Sequence, residues 1–310
     1  MLQYKEKNFY IGGIMFIEND GIVDSITKTK YGSVRIQNVI FDPQKIEAEL
    51  PDLVLTEKNL MHMFAEKQLD DMLKYNILNR FIPQEGTGVE LSKYIDDEMK
   101  SNKNFYSFLS EGILGLVFRD VYGYELAKAV IDLTDTLTDT HSGVDSCMYN
   151  LEESIIVLGE AKFYATVEDG LKSIIKDFKK NKIKNKLLSL QRAAMMNSSS
   201  QEIVLKNLEK RKFDSIPVQD FLRQKIIFAG FVLHSESKDV SRYKNDNFYF
   251  KHSISVDELI ENINKSLNIN IGNTNFEIIL IHLPIQDKKT LIEKIIDKAA
   301  SHVTVIRKAG

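Results

Sequence analysis

The chain has 310 residues, enough for two average domains or for one large α/β domain. Hydrophobic residues make up 43% and charged residues 27% of it, an ordinary globular balance that argues against wholesale disorder. The formal net charge of −3 argues against a protein that grips nucleic acid unaided, because such proteins usually carry a basic excess. If a chain of this charge acts on DNA, it needs a local basic patch or a partner that brings the DNA.

Cysteine content and the absence of targeting signals predict a cytoplasmic protein. Cys147 is the only cysteine, so no intrachain disulfide can form, and a reducing compartment is expected. The N-terminus lacks the apolar segment of a signal peptide. The longest apolar run, residues 226–233, is far shorter than the roughly 20 residues that a membrane span needs. We therefore expect a soluble protein with no membrane partner.

The first 88 residues combine β-rich and helical patterns. Residues 8–41 are rich in β-forming residues with turn signals between them, and they predict a few strands. A long helical pattern begins after Thr56, a plausible N-cap, and ends near Pro83. A polar loop follows, and we predict a domain boundary there. Residues 1–88 would form an N-terminal region that binds a partner, and residues 89–310 would form the main domain with a C-terminal α/β extension.

Beyond residue 89, helical and strand patterns alternate along the chain. The predicted strands are 127–137, 144–149, 155–164, 225–234 and 275–283. The predicted helices are 91–99, 105–121, 167–180, 184–196, 201–212, 256–267 and 288–301. This order predicts an α/β or α+β fold with a mixed central sheet flanked by helices.

One predicted strand, 155–164, ends in a charged pair. It begins with four consecutive apolar residues, which is typical of a strand covered on both faces, and then presents Glu160 and Lys162. Side chains alternate along a strand, so these two share one face while Ala161 points to the other. The sequence has two other Glu-x-Lys matches, but one falls in a helical pattern and the other in a polar loop. Only the pair at 160 and 162 combines a strand with a buried approach.

Asp145 lies on the preceding predicted strand and could face Glu160. In an antiparallel hairpin, opposed residues have Cβ atoms about 4.5–5.5 Å apart, and the chain between the two acids leaves room for two arms and a loop. The two carboxylates could bind one hard cation, Mg²⁺ or Mn²⁺, and the carbonyl of Ala161 could add an oxygen. Lys162 would then orient a water or stabilise charge on a phosphate. A surface salt bridge at a strand end is the alternative, and the residues alone leave both open.

Glu111 is an acid in apolar surroundings on the predicted helix 105–121. There it neighbours Phe108, Leu114 and Gly115, and an acid buried among such residues needs a partner or a metal. It could be a third carboxylate beside the sheet. It could equally be a glutamate at the helix edge, paired with an arginine such as Arg119.

Three segments carry a family resemblance: SEGILGLVFRD, HSGVDSC and VLGEAKFY. They resemble the PD-(D/E)xK nuclease superfamily and, more narrowly, the HamA family, the nuclease subunits of the Hachiman anti-phage system. The resemblance implies a restriction-endonuclease-like core with Asp145, Glu160 and Lys162 as catalytic acid, acid and lysine, and Glu111 as the helix acid. Val144 departs from the pattern, because the superfamily's name expects proline there.

The resemblance also implies an activity, a cofactor and a partner. A protein of this family would be a DNase dependent on Mg²⁺ or Mn²⁺, the effector of a two-component defence system. It would form a heterodimer with a HamB-like helicase that holds it in check or loads it on DNA. Two alternatives stay open: a non-catalytic adaptor that uses a nuclease fold to regulate a helicase, and a sequence-specific restriction enzyme.

The sequence also contains a dense basic run and an acidic run. Six lysines between Lys176 and Lys186 follow the catalytic strand, and they could contact the DNA backbone, solvent or a partner. Three aspartates precede His141, and we interpret them as a polar strand edge and turn rather than a second metal site. The aspartates are Asp132, Asp135 and Asp139.

Overall fold

The structure is a computed structural model, and it describes fourteen segments of the chain. These are residues 9–11, 14–17, 22–29, 32–39, 43–64, 68–83, 88–99, 102–126, 147–150, 155–178, 225–235, 261, 276–285 and 287–309. Asp145 lies outside them. The predicted strand 127–137 and the predicted helices 184–196 and 201–212 also lie outside, as does the predicted helix 256–267 except for residue 261, which is helical.

The described strands form a two-stranded ribbon and a seven-stranded mixed sheet. The ribbon consists of β1 (Phe9–Ile11) and β2 (Ile14–Ile17). The sheet consists of β3 (Ile22–Thr29), β4 (Gly32–Val39), β5 (Glu125–Leu126), β6 (Cys147–Asn150), β7 (Ile155–Tyr164), β8 (Lys225–His234) and β9 (Phe276–Pro284). Its spatial order is β3-β4-β9-β8-β7-β6-β5. The four central strands, β4, β9, β8 and β7, pair in parallel. The remaining pairs, β3 with β4, β7 with β6 and β6 with β5, are antiparallel.

The helices pack against this sheet, so the predicted α/β fold with a mixed central sheet is confirmed. They are α1 (Pro43–Leu55), α2 (Glu57–Met63), α3 (Asp71–Leu78), α4 (Leu91–Tyr94), α5 (Lys103–Tyr122), α6 (Val167–Asp177) and α7 (Lys288–Ala309). A 3-10 turn, Asn79–Phe81, follows α3, and a π-helical turn, Ile95–Met99, follows α4. None of the helices in the described ranges has the length and apolarity that crossing a membrane requires.

Two helical predictions need correction. The single helix expected between Thr56 and Pro83 is divided into α2 and α3, because Asp70 starts a new helix by accepting a hydrogen bond from the Leu73 amide at 2.7 Å. Helix α1 was not predicted, and it contains Pro51, a residue that usually breaks a helix interior. Its buried leucines and valine pack it against α7, and this tertiary contact outweighs the local preference.

The two faces of the sheet are covered by different helices. Odd-numbered residues of the central strands, such as Ala161 and Phe231, join one large core with residues of α1, α5 and α7. Even-numbered residues face α6: Gly230 lies beside Ile174, and Val232 lies beside Gly170. Glu160 and Lys162 are even-numbered, so the alternation of a strand puts them on the α6 face.

One sheet spans the predicted boundary at residue 88. Strand β4 comes before that boundary and pairs in parallel with β9, which comes from the C-terminal part. Helices α1 and α7 also pack together across it. The assignment of residues 1–88 to a partner-binding region, and of residues 89–310 to a separate domain, stays a prediction.

Gly170 allows α6 to approach β8 closely. A Cβ at this position would lie 2.5 Å from Cγ1 and 3.0 Å from Cγ2 of Val232, whose branched side chain has little freedom to move. We expect Gly170→Ala to lower the free energy of unfolding by about 1–3 kcal/mol, although alanine normally favours a helix over glycine. Urea denaturation measures this loss. Gly112→Ala is the matched control: its Cβ would also meet an atom at 2.5 Å, but that atom is the sulfur of the flexible Met63. Equal losses in both variants would contradict the prediction.

Candidate functional site

Strand β7 presents the predicted charged pair next to β8. Glu160 lies opposite Gly230 and Lys162 lies opposite Val232 in the parallel register. Because β7 is an interior strand covered by α6, the Glu160 carboxylate is only 1% exposed. A glutamate at this depth must be stabilised by polar neighbours, since burying an ionised carboxylate alone is very unfavourable.

Lys162 bridges two carboxylates. Its Nζ atom lies 2.9 Å from Oε2 of Glu160 and 2.6 Å from Oδ2 of Asp177, the last residue of α6. The Lys162 side chain is 21% exposed and the Asp177 side chain is 12% exposed. The three side chains therefore form a largely buried ion cluster between the central sheet and α6, with the lysine as its most accessible member.

The two carboxylates keep Lys162 charged. Burial by itself would lower the pKa of Lys162, because desolvation disfavours the ammonium. The negative charges of Glu160 and Asp177, and their hydrogen bonds to the ammonium, outweigh burial and raise the pKa above the ordinary value of a lysine. At neutral pH the cluster thus contains an ammonium group, which suits contact with a phosphate better than proton abstraction.

Asp177 was not identified from the sequence. The predicted helix 167–180 included it, but its contact with the strand residue Lys162 depends on how α6 crosses the sheet. One signal was present: Asp177 is three positions after Ile174 and directly before Phe178, both of which are buried. An acid beside the apolar stripe of the helix that follows a Glu-x-Lys strand is therefore worth testing in similar sequences.

The described contacts do not bring the other predicted site residues into this cluster. Asp145 lies outside the described residues. The Ala161 side chain is buried in the core on the opposite face, and the role of its carbonyl stays a prediction. Glu111 is half-buried on α5, which packs on that same opposite face. Its role as a metal-binding helix acid also stays a prediction.

A metal ion would find part of its ligand set in the cluster. Glu160 presents carboxylate oxygens, the ligands that Mg²⁺ and Mn²⁺ prefer. In the part of the chain that the structure describes, no group of three or more His, Cys, Asp and Glu side chains is arranged to hold a metal. The donor chemistry fits a hard cation, and a complete site would need a further ligand.

The basic run begins beside the cluster. Lys176 is exposed on α6, next to Asp177 in sequence. The other lysines of the run, between residues 179 and 186, lie outside the described residues, so the expected contact of this run with DNA stays a prediction.

Comparison with known proteins identifies the family. The family model described as HamA matches residues 25–299, which is most of the chain, including β7, α6 and the whole ion cluster. The search of curated proteins found no match. Membership of the HamA family implies involvement in Hachiman defence. The extent of the match shows that the chain belongs to the HamA family.

Proposed function

We propose that the protein is a metal-dependent DNase with a PD-(D/E)xK core, and that it is the effector of a Hachiman defence system. The observation that carries this proposal is the Glu160 carboxylate, 1% exposed and 2.9 Å from Lys162 on one face of a central strand. Buried ion pairs are weak contributors to stability compared with apolar side chains of similar size. Charged groups kept in such a position are candidates for a functional site, and HamA family membership agrees with that interpretation.

The strand pairing supports Asp145 as a second acid. Strands β6 and β7 pair antiparallel, as the sequence predicted, with Asn150 opposite Ile155 and Cys147 opposite Leu158. In the sequence, Asp145 comes two positions before Cys147, and Glu160 comes two positions after Leu158. Residues opposed in an antiparallel pair share a face of the sheet. We therefore propose that Asp145 and Glu160 bind the metal together, with the Ala161 carbonyl and Glu111 as further candidate ligands.

Each charged group has a distinct role in the proposed reaction. When bound, Mg²⁺ or Mn²⁺ supplies a positive charge that polarises the scissile phosphate and activates a water molecule. Glu160 contributes carboxylate oxygens to the metal. Lys162 offers its ammonium to a phosphate oxygen and stabilises the negative charge that develops there during cleavage.

The overall charge of the protein supports dependence on a partner. A net charge of −3 provides little general attraction for DNA. A HamB-like helicase in a heterodimer would bring the DNA to the nuclease and control its access. This arrangement allows a mildly acidic nuclease to act on DNA without tight binding of its own.

Metal dependence tests the proposal directly. The full chain, together with its helicase partner, should degrade plasmid DNA to a smear with Mg²⁺ or Mn²⁺, and a chelator should stop the degradation. Calorimetric titration of the full chain with Mn²⁺, without DNA, should show binding that Glu160→Gln removes. Glu277→Gln, which changes a carboxylate in the same sheet, should leave the titration unchanged.

The alternatives predict other results. Tight helicase binding without Mn²⁺ binding or DNA degradation would favour a non-catalytic adaptor. Discrete DNA bands instead of a smear would favour a sequence-specific restriction enzyme.

A further inference from the structure

We propose that Asp177 is a positioning residue: its carboxylate holds the Lys162 ammonium in the orientation that contacts the phosphate. This inference rests on the proposed nuclease function and adds a residue from α6 to the site on β7. Asp177 is not assigned a contact with the substrate; it acts through Lys162.

The contact is short and largely buried. Oδ2 of Asp177 lies 2.6 Å from Nζ of Lys162, which is shorter than the 2.9 Å contact of the same nitrogen with Glu160. Only 12% of the Asp177 side chain is exposed. A charge-assisted contact at this distance, shielded from water, restricts a long side chain strongly.

Helix α6 presents Asp177 from a firmly packed position. Near its start, Gly170 fits against Val232, and further along Ile174 lies beside Gly230. Directly after Asp177, the ring of Phe178 packs edge-on against Phe228 with centroids 5.4 Å apart. Groups carried by packed elements hold their geometry better than groups on loops, so the Asp177 carboxylate is suited to orient a partner.

Lys162 needs such a contact because Glu160 has a second task. A lysine side chain has four rotatable bonds and reaches several positions when nothing holds its ammonium. In the proposed reaction Glu160 donates oxygens to the metal, so it cannot be the sole group that orients Lys162. Asp177 approaches the ammonium from the helix side and can keep it in place while Glu160 binds the metal.

A second ion pair on the same helix provides a matched control. Glu168 and Lys172 lie 2.7 Å apart, nearly the same distance as Asp177 and Lys162, but their side chains are 60% and 57% exposed. Removing the Glu168 charge therefore tests the general effect of losing a carboxylate from α6.

The experiment compares Asp177→Ala, Asp177→Asn and Glu168→Gln in the full chain with its helicase partner. We expect Asp177→Ala to lower kcat for cleavage of a labelled duplex by about 10–100-fold, with KM within about twofold of wild type. Asp177→Asn keeps an oxygen acceptor in place and should recover part of kcat. Glu168→Gln should match wild type.

Three outcomes would overturn the positioning role. One is a wild-type kcat in Asp177→Ala. Another is a rise in KM with unchanged kcat, which would indicate a role in substrate binding only. The third is an increase in kcat, which would mean that Asp177 withholds Lys162 from the substrate. Thermal unfolding checks the fold, and if the alanine variant does not fold, the nearly isosteric asparagine variant decides in the same way.

A measurement without DNA separates this inference from the proposed function. Brief acylation of lysines, read by mass spectrometry, should label Lys162 more slowly than the exposed Lys172 in wild type. Asp177→Ala should speed labelling of Lys162 and leave Lys172 unchanged. If wild type degrades no DNA but this change occurs, the nuclease proposal fails while Asp177 still positions Lys162. Unchanged labelling of Lys162 would overturn the positioning role even in an active nuclease.

Discussion

Replacing Glu160 by glutamine should abolish metal-dependent DNA degradation, with a fall of at least about 1,000-fold in kcat. Glutamine has nearly the same shape, so the packing around this 1% exposed side chain is retained. The amide lacks the negative charge with which a carboxylate attracts a divalent cation, so metal binding at this position should be much weaker. Lys162 keeps its contact with Asp177, so the cluster retains one ion pair and the protein should stay folded. Plasmid degradation with the helicase partner, together with a thermal unfolding curve, measures both expectations.

A carboxylate near the start of another parallel strand, β9, controls for general charge effects. Glu277 on β9 lies 2.9 Å from Lys225 on β8, so this pair also joins charged residues of the central sheet. Glu277→Gln should degrade DNA at the wild-type rate. If Glu160→Gln is as active as Glu277→Gln, the site is not centred on Glu160.

Lys162→Met should inactivate the enzyme and also lower the free energy of unfolding, by about 2–4 kcal/mol at neutral pH. The change removes the cation that Glu160 and Asp177 share, and it leaves two carboxylates near each other in a largely buried position. Removing one member of a buried ion pair is far more destabilising than removing an exposed one. Urea denaturation at neutral pH measures the loss, and we expect Lys162→Met to be clearly less stable than Glu160→Gln.

Two variants test the cause of that loss. Lys225→Met removes the lysine of a pair that is 36% and 21% exposed, and it should change the free energy of unfolding by no more than about 1 kcal/mol. The double variant Lys162→Met with Glu160→Gln should recover part of the stability, because it also removes the charge of one of the two carboxylates that lose their contact with Lys162. If the double variant is less stable than Lys162→Met alone, charge burial is not the cause.

This difference in stability affects how the variants should be used. Loss of activity in Lys162→Met would combine a chemical effect with a structural one. Glu160→Gln removes a charge while Lys162 keeps its contact with Asp177, so it is the better test of catalysis.

Local sequence patterns were sufficient for the central strands. The predicted ranges 155–164 and 225–234 coincide with β7 and β8. Their consecutive apolar residues are buried on both faces of an interior strand, and this environment leaves a strong local signal. The hairpin of β6 and β7 could be anticipated as well, because its two arms are close in the chain.

Local patterns were insufficient where tertiary contacts decided the outcome. Pro51 suggests the end of a helix, yet α1 continues through it because its apolar residues are buried against distant parts of the chain. The parallel pairing of β4 with β9 joins residues more than 200 positions apart, and no periodicity within either strand specifies this partner.

The sequence by itself determined that the side chains of Glu160 and Lys162 point to the same face of a buried strand, because the alternation of side chains along a strand is a property of the backbone. The tertiary structure alone decided that this face is covered by α6 and that Asp177 reaches Lys162. That contact depends on the close approach of α6 to β8 at Gly170 and Val232, a fit between side chains far apart in the chain. Helix periodicity can mark Asp177 as lying beside a buried stripe, but only packing determines which residue it meets there.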